Sequence, residues 1–276
     1  MKPNFSFVIP VYNRQVNLDL VLYALTLQTV KGFEIIIADD GSDDKTRDAA
    51  LKYQDRPPIK YYWHKHAGYR VSLNRNQGTR LRRKECTHIW YLDSDVLLNR
   101  KAVEHATKLC AQHPEAVICG RYDWLPAMHV TTNDVKDRWD ELIHHRLQRV
   151  RTNYKPGIVG DDPRQAKGWT CPTILSNPRG IALSGNLIVP AMWFERSGGF
   201  DENIEGQGQD CEFSYTLAEL GAKAIRCPHI IGYHLDHFRD TKWMTASVLD
   251  TIEYIHEKHG PPLPDKWYAE HGRKRK

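Results

Sequence analysis

The chain of 276 residues is predicted to form a single α/β domain with a mostly parallel sheet and helices on both faces. Short apolar runs alternate with stretches of helical apolar spacing, which is typical of βαβ units. Two of these runs end in carboxylates, at Asp39, Asp40, Asp93 and Asp95. Because the carboxyl ends of parallel strands share one edge, we expect a ligand site there. The first apolar run is followed by no glycine-rich turn, which argues against a dinucleotide cofactor.

Strand and helix signals alternate through the first half of the chain. Apolar runs predict strands at 5–11, 33–38, 59–64 and 88–92. The last of these is too short for a helix and rich in aromatic and β-branched residues, as a buried strand should be. Helical spacing predicts helices at 16–27, 46–53 and 70–84.

The second half is less regular. A helix at 100–111 and a strand at 116–119 precede an aperiodic segment, 121–179, which we interpret as an insertion over the acceptor side of the site. The remaining expectations are a helix between 134 and 151, a strand at 181–189, helices at 192–197, 209–220 and 243–259, and an irregular histidine-rich stretch at 225–238. We divide the chain into 1–120, 121–240 and 241–276.

Composition indicates a soluble cytoplasmic protein. The formal charge is +5, no signal peptide pattern opens the chain, and no apolar run is long enough to span a bilayer. Basic residues are densest at 80–84 and 273–276. We favour a solvated helix face and a terminal tail over a nucleic-acid patch for these clusters.

The motif Asp93-Ser94-Asp95 follows the strand predicted at 88–92. Two carboxylates at a strand end can hold a divalent cation that keeps waters and phosphate oxygens as its other ligands. The same residues could instead cap the helix that begins near Asn99. The motif alone leaves both interpretations open.

Six segments together resemble glycosyltransferase family 2 of the GT-A (Rossmann-like) fold. The nucleotide-sugar half is represented by FVIPVYNR at 7–14, ADDGSDDKT at 38–46, LNRNQG at 73–78 and YLDSDVLL at 91–98. The acceptor half, similar to galactosyltransferases and chondroitin-polymerase-type enzymes, is represented by 184–202 and 206–223. The resemblance covers most of the chain and implies a metal-dependent transfer from a UDP-sugar to an acceptor hydroxyl.

The resemblance also implies donor contacts. They would be made by Pro10, Tyr12, Arg14, Asp39, Asp40, Arg75, Asp93 and Ser94. A carboxylate that accepts from the uracil N–H would favour UDP, and Asp93 would contact the ribose or the sugar. Arg75 would meet the nucleoside or diphosphate, although it could also be a helix-surface arginine.

For the metal, Mn2+ or Mg2+, the resemblance implies Asp95 as a ligand. Imidazole suits borderline metals, and three histidines, His229, His234 and His237, lie in the second half. The segment HFRD resembles a galactosyltransferase segment that carries the metal-binding histidine, so we prefer His237 and place His234 second.

For the general base, the resemblance points to Asp210 at the start of a predicted helix, with Glu212 two residues later. Asp210 could also serve as a helix N-terminal acid, and the two roles are compatible. Many relatives carry glutamate where this chain has Gln209, and an amide cannot act as a base. We expect an inverting reaction.

Three aromatic residues, Tyr122, Trp169 and Trp193, are possible sugar-stacking platforms, but we favour core or loop packing for each of them. The predicted partners are a nucleotide-sugar and a saccharide or glycan acceptor. Two alternative functions are transfer to modified nucleic acid and a non-catalytic nucleotide-sugar or glycan-binding module.

Overall fold

The computed structural model describes residues 2–54, 57–125, 130–137, 173–175, 184–235, 241–260 and 263–274. The strands are β1 (Phe5–Val11), β2 (Glu34–Asp39), β3 (Ile59–Trp63), β4 (His88–Leu92), β5 (Val96–Leu98), β6 (Val117–Leu125), β7 (Thr173–Leu175), β8 (Asn186–Pro190) and β9 (Ala224–Leu235). The helices are α1 (Gln15–Thr26), α2 (Asp44–Leu51), α3 (Val71–Arg80), α4 (Ala102–Gln112), α5 (Thr132–Asp137), α6 (Ala191–Ser197), α7 (Gln209–Glu219), α8 (Thr241–His259) and α9 (Asp265–Glu270).

The sheet is parallel in its first half, as the alternating signals predicted. The strand order there is β3-β2-β1-β4, and each neighbouring pair is parallel. Every residue of β1, β2 and β4 is buried, which explains why these strands are continuous apolar runs. Their carboxyl ends therefore meet at one edge.

The second half of the sheet is mixed. β8 is antiparallel to both β4 and β6, and β6 is parallel to β9. β5 and β7 are antiparallel to β9. This mixed half extends the parallel half into one sheet, so that the α/β domain predicted from the sequence is confirmed.

Helices cover both faces of the sheet. On one face α1 and α4 pack on a large apolar cluster that includes Phe7, Trp90 and Val96. On the other face α6 and α7 pack on a second cluster around Tyr91 and Phe213. Since each strand side chain points to the opposite face from its neighbour, both clusters are built from the same strands.

The stretch 225–238, predicted to be irregular, was wrongly interpreted for most of its length. Residues 224–235 form β9, the longest strand among the described residues. Its register with β6 shifts between Gly120 and Arg121, so that residues 228–230 bulge out of the ladder. Pro228, which has no N–H to donate, lies in this bulge. The proline and the histidines hid the strand pattern.

Several other predictions need adjustment. β5, β7 and α9 were not predicted, and the strand predicted at 116–119 continues to Leu125. Of the helix expected between 134 and 151, the described part is α5. Most of the predicted insertion, including Trp169, lies outside the described residues.

No helix in the described ranges has the length and hydropathy needed to cross a bilayer.

A cluster of charges fastens α8 to the rest of the domain. Lys258 donates to Asp201 at 2.6 Å and to Glu212 at 2.8 Å. Tyr254 donates to the same Asp201 oxygen at 2.7 Å. Burial pushes the pKa of Asp201 upwards, but the hydrogen bonds from Lys258, Tyr254 and the Asn203 N–H outweigh it and lower that pKa to about 2.

We expect Asp201→Asn to reduce the free energy of unfolding at pH 7 by about 2 kcal/mol. The pKa of Asp201 falls from 3.8 to about 2 on folding, so its stabilisation is complete above pH 3.8 and disappears as the pH falls through 2. Urea unfolding between pH 7 and pH 2 should therefore show a flatter acid limb for the variant. A variant with the native pH dependence would contradict this role of Asp201.

Candidate active site

The loops that follow β1 and β2 are locked together at the carboxyl edge of the sheet. The Asp40 N–H donates to Val11 O at 2.9 Å, and the Asn13 N–H donates to Ser42 Oγ at 2.8 Å. Asn13 has a positive φ of 48°, and its side chain accepts from the Asp43 N–H at 3.2 Å. This places Tyr12 and Arg14 beside the Asp39-Asp40 turn, as the parallel sheet predicted.

Asp39 is fully buried and engaged by the protein itself. One carboxylate oxygen accepts from the Ser42 N–H at 2.7 Å, and the other accepts from the Tyr61 hydroxyl. Burial and the neighbouring Asp39 carboxylate raise the pKa of Tyr61 far above its usual value. Asp39 therefore shapes the turn and leaves little of its surface to a ligand.

Asp40 is surrounded by cationic or potentially cationic groups. His66 Nδ1 lies 3.0 Å from its carboxylate, His64 Nε2 lies at 3.4 Å and the Arg70 guanidinium at 3.6 Å. The His66 ring stacks on the exposed Tyr12 ring, with 4.1 Å between centroids and 8° between planes. An aromatic surface thus adjoins a polar cluster at the end of the sheet. Pro10 lies near this end, as the second-last residue of β1.

Arg75 and Asp93 form the centre of the site. Arg75 is buried on α3 and donates to Asp93 Oδ1 at 2.8 Å, so it is not a helix-surface arginine. The Tyr122 hydroxyl donates to Asp93 Oδ2 at 3.4 Å. Burial raises the pKa of Asp93, Arg75 opposes this rise, and the charges of Asp95 and Asp210 add to it. Three carboxylates therefore share one region of strongly negative potential.

Gly185 leaves the space in which Asp93 and Tyr122 meet. A Cβ at this position would lie 1.6 Å from Tyr122 Oη and 2.6 Å from Asp93 Oδ2. We expect Gly185→Ala to lower kcat/KM by about 10²-fold, because displacing a positioned group by about 1 Å has an effect of that size. Steady-state rates measure the change in kcat/KM, and a melting curve establishes that the variant is folded. An unchanged kcat/KM in a folded variant would contradict the tight positioning of Asp93.

Asp95 and His234 are brought together by the ladder between β5 and β9. Val96 pairs with His234, and the Leu235 N–H donates to Asp95 O at 2.8 Å. Asp95 Oδ1 then lies 3.5 Å from His234 Nε2, and both side chains are buried. Ser94 lies in the buried turn before β5.

Carboxylate oxygens are the donors that Mn2+ and Mg2+ prefer, so Asp95 fits the predicted metal, and His234 adds a nitrogen donor beside it. Within the described part of the chain, no group of three or more His, Cys, Asp or Glu side chains has metal-binding geometry. His237 lies outside the described residues. His229 lies in the β9 bulge beside His105, with 5.4 Å between ring centroids.

Asp210 lies at the N-terminal end of α7, facing the same region as Asp93. Its Oδ1 accepts from the Cys211 N–H at 2.9 Å, and its Oδ2 lies 3.3 Å from the Ser184 nitrogen, which donates to it. Both contacts hold the Asp210 carboxylate against the first turn of α7. Gly208, with a φ of 93°, turns the preceding loop into the helix.

Glu212 lies in a different environment from Asp210. Its carboxylate is buried and accepts from Thr216 Oγ1 at 2.8 Å and Lys258 Nζ at 2.8 Å, and it lies 3.0 Å from His259 Nε2. It lines a cavity of about 520 Å³ together with Phe200 and His259. These contacts give Glu212 a structural role in joining α7 to α8.

Tyr69 and Gln207 are site residues that the sequence did not point to. Gln207 Nε2 donates to Tyr69 Oη at 2.8 Å. The pKa of Tyr69 is raised to about 12, mainly by burial of the hydroxyl, with further contributions from Asp93 and Asp210 and opposition from Arg75. Both residues lie in irregular loops, where no periodic pattern marks them.

The proposed stacking platforms have other roles. Trp193 is 5% exposed, packs in the second apolar cluster and donates to Glu115 O at 2.7 Å, so it is a core residue. Tyr122 is also buried and acts through its hydroxyl on Asp93. Core packing, the interpretation favoured from the sequence, therefore describes both residues.

Comparison with known proteins gives the family. The description Glycosyl transferase family 2 matches residues 6–162. The chain is 30% identical over 282 aligned positions to Validoxylamine A glucosyltransferase of Streptomyces hygroscopicus subsp. jinggangensis, covering 97% of this chain and 64% of that protein. It is 27% identical to Chondroitin synthase of Escherichia coli, covering 83% of this chain and 34% of that protein. The chain thus spans less than two thirds of these relatives.

Solved structures agree on the fold. S. aureus TarS 1–349 in complex with UDP-GlcNAc superposes with a TM-score of 0.66 at 16% identity, covering 94% of this chain and 66% of that one. The mannosyltransferase PcManGT of Pyrobaculum calidifontis, in complex with GDP-Man and Mn2+, gives 0.63 at 15% identity, covering 96% and 66%. Fold and family model agree with the resemblance seen in the sequence. The chain belongs to glycosyltransferase family 2.

Proposed function

We propose that this protein transfers a hexose from a UDP-sugar to the hydroxyl of a saccharide or glycan acceptor, with inversion at the anomeric carbon. The observation that carries the proposal is the meeting of Arg75, Asp93 and Asp210 at the carboxyl edge of the sheet. A cationic donor, a partly exposed carboxylate that accepts from it and a second carboxylate at a helix N-terminus are groups that can serve glycosyl transfer from a nucleoside diphosphate.

The nucleoside is proposed to bind along the Tyr12 and Asp40 side of the edge. The Tyr12–His66 stack offers an aromatic face for a base, and the Asp40 carboxylate can accept from a base N–H. The relative named Validoxylamine A glucosyltransferase makes glucose the first sugar to test. Arg14 and Ser94 adjoin this path and are proposed as further donor contacts.

Asp95 and His234 are proposed to hold Mn2+ or Mg2+, with His237 as a further candidate ligand. A divalent cation here would stabilise the negative charge that develops on the departing diphosphate. The charges of Asp95 and Asp210 add to the effect of burial in raising the pKa of Asp93. The positive charge of the cation would relieve this repulsion among the three carboxylates. A PcManGT structure with a bound Mn2+ is consistent with this choice of metal.

Asp210 is proposed as the general base. The acceptor oxygen forms a bond to the anomeric carbon while the bond from that carbon to the diphosphate oxygen breaks. The electron pair of the broken bond stays on UDP, and the acceptor proton moves to an Asp210 carboxylate oxygen. Attack from the side opposite the leaving group inverts the configuration. Arg75 is positioned to keep Asp93 oriented during this step.

Contacts of the basic clusters argue against transfer to nucleic acid. Arg82 pairs with Glu195, and Arg83 donates to Gly32 O at 2.6 Å. Arg273 donates to Asp250 at 2.7 Å and to Glu253 at 2.8 Å. These side chains are held in contacts within the chain, which leaves less free positive charge for phosphates than the sequence suggested.

The test uses UDP-glucose, UDP-GlcNAc and GDP-mannose, each with Mn2+ or with EDTA. Validoxylamine A and a chondroitin oligosaccharide serve as acceptors, and release of the nucleotide and the anomeric coupling of the product are followed by NMR. We expect UDP release only with Mn2+ and a product of inverted configuration. Release from GDP-mannose alone would overturn the donor assignment, and nucleotide binding without any release would favour the binding-module alternative.

A further inference from the structure

Tyr69 and Trp243 form an exposed aromatic corner that the proposed mechanism does not use. Their rings meet edge to face, with 5.1 Å between centroids and an interplanar angle of 62°. They remain 37% and 41% exposed, respectively. Large aromatic side chains that stay open to solvent beside a polar cleft are typical of ligand-binding surfaces.

The corner adjoins the reacting groups. The Tyr69 hydroxyl is held by Gln207 Nε2 at 2.8 Å and lies within electrostatic reach of Arg75, Asp93 and Asp210. Trp243, on α8, continues the aromatic surface from the Tyr69 ring. An acceptor molecule that presents a hydroxyl to Asp210 would therefore place its remaining atoms beside the Tyr69 and Trp243 rings.

Helix α8 fixes the corner in place. Thr251 Oγ1 donates to Gln207 O at 2.6 Å, and the Gln207 N–H donates to Ser247 Oγ at 3.3 Å. A Cβ at Gly206 would lie 2.8 Å from Ser247 Cβ, and one at Gly208 would lie 2.9 Å from Thr251 Cγ2. The two glycines allow close packing of the 206–208 loop on α8, so Gln207 and Tyr69 are positioned by the same helix that carries Trp243.

We propose that Tyr69 and Trp243 form the stacking subsite for the acceptor, and that the acceptor is a polyhydroxylated six-membered ring. The C–H face of such a ring is apolar and packs on an aromatic face, while its hydroxyls find donors and acceptors in the Gln207 amide and the Tyr69 hydroxyl. A sugar and a cyclitol share this chemistry. The inference rests on the proposed function, because Asp210 defines where the reacting hydroxyl must lie.

Binding is tested by saturation-transfer NMR on the full chain with UDP and diamagnetic Mg2+. The probes are methyl β-D-glucopyranoside and myo-inositol, which represent the two kinds of ring. We expect the ring C–H protons of at least one probe to receive saturation from the native protein. The probe that responds more strongly tells a sugar from a cyclitol. Trp243→Ala should remove most of this signal, and Trp243→Phe should keep it.

Val248→Ala is the matched control, because Val248 is also an exposed apolar residue of α8. It should leave the saturation unchanged. Equal saturation in Trp243→Ala and the native protein, or no saturation of either probe, would overturn the stacking subsite. Melting curves establish that each variant is folded.

Kinetics give a second and independent readout with the best acceptor from the transfer assay. Trp243→Ala should raise the KM for the acceptor about tenfold and change kcat little, since an aromatic contact contributes binding of that order. Calorimetric affinity for UDP with Mn2+ should stay at the native value. If the native protein does not bind UDP, the proposed function itself is refuted. If Trp243→Ala binds UDP as the native protein does and its KM for the acceptor is also unchanged, only the stacking subsite is refuted.

Discussion

Asp210→Asn is expected to lower kcat by about 10²- to 10⁴-fold, which is the usual contribution of a positioned general base. The amide keeps the shape of the carboxylate but cannot take up the proton of the attacking hydroxyl. Affinity for UDP with Mn2+ should remain native, because Asp210 lies on the acceptor side of Asp93 in the proposed reaction. Rapid-quench measurement of a single turnover separates this loss of chemistry from slower product release.

Asp265→Asn provides the control for this experiment. Asp265 is an exposed acid in the first turn of α9, so the same change removes a helix N-terminal charge away from the site. Both variants should lose a few tenths of a kcal/mol of stability, on the order expected for an exposed charge at a helix end. Only Asp210→Asn should lose activity. If Asp210→Asn keeps the native kcat, Asp210 is not the general base and serves only as an acid at the helix N-terminus.

Asp95→Asn is expected to lower kcat by about 10³-fold and to abolish the stabilisation of the protein by UDP that depends on Mn2+. A metal contributes several kcal/mol to charge stabilisation in a transition state, which corresponds to a factor of this size. A ligand at about one hundred times its Kd adds roughly 2.7 kcal/mol to stability, so the native melting temperature should rise by several degrees. Thermal unfolding with UDP, with and without Mn2+, measures both effects.

Two histidines of β9 offer a matched comparison for the metal site. His234 lies against Asp95, whereas His229 is an exposed residue of the bulge. His234→Ala should increase the Mn2+ concentration needed for half-maximal activity by about 10- to 100-fold, and His229→Ala should leave it unchanged. Equal Mn2+ dependence in both variants would remove His234 from the ligand set and leave His237 as the candidate.

The parallel half of the fold could be predicted from sequence because its strands are uniform. β1, β2 and β4 are buried on both faces, so each appears as an unbroken apolar run bounded by polar loops. The meeting of their ends then follows from topology alone. Asp39 and Asp40 were accordingly placed at the right edge without any knowledge of side-chain contacts.

The rest of the site depends on contacts between distant parts of the chain. β5 has only three residues, too few to show a pattern, and β9 is interrupted by its bulge. The burial of Glu212 by Lys258 and His259 could not be read from the spacing that suggested a catalytic role. Tyr69 was missed because its position is set by Gln207 and α8, far along the sequence.

The pairing of β5 with β9 also determines when the Asp95–His234 pair can form as the chain folds. Among the described strands, β5 pairs with β9 alone, and β9 comes latest in the sequence. A ribosome-bound chain can assemble β1 to β4 early from local contacts, but the large loop that separates β5 from its partner must close before Asp95 is fixed. A chain that has folded only through β4 would thus lack the Asp95–His234 pair.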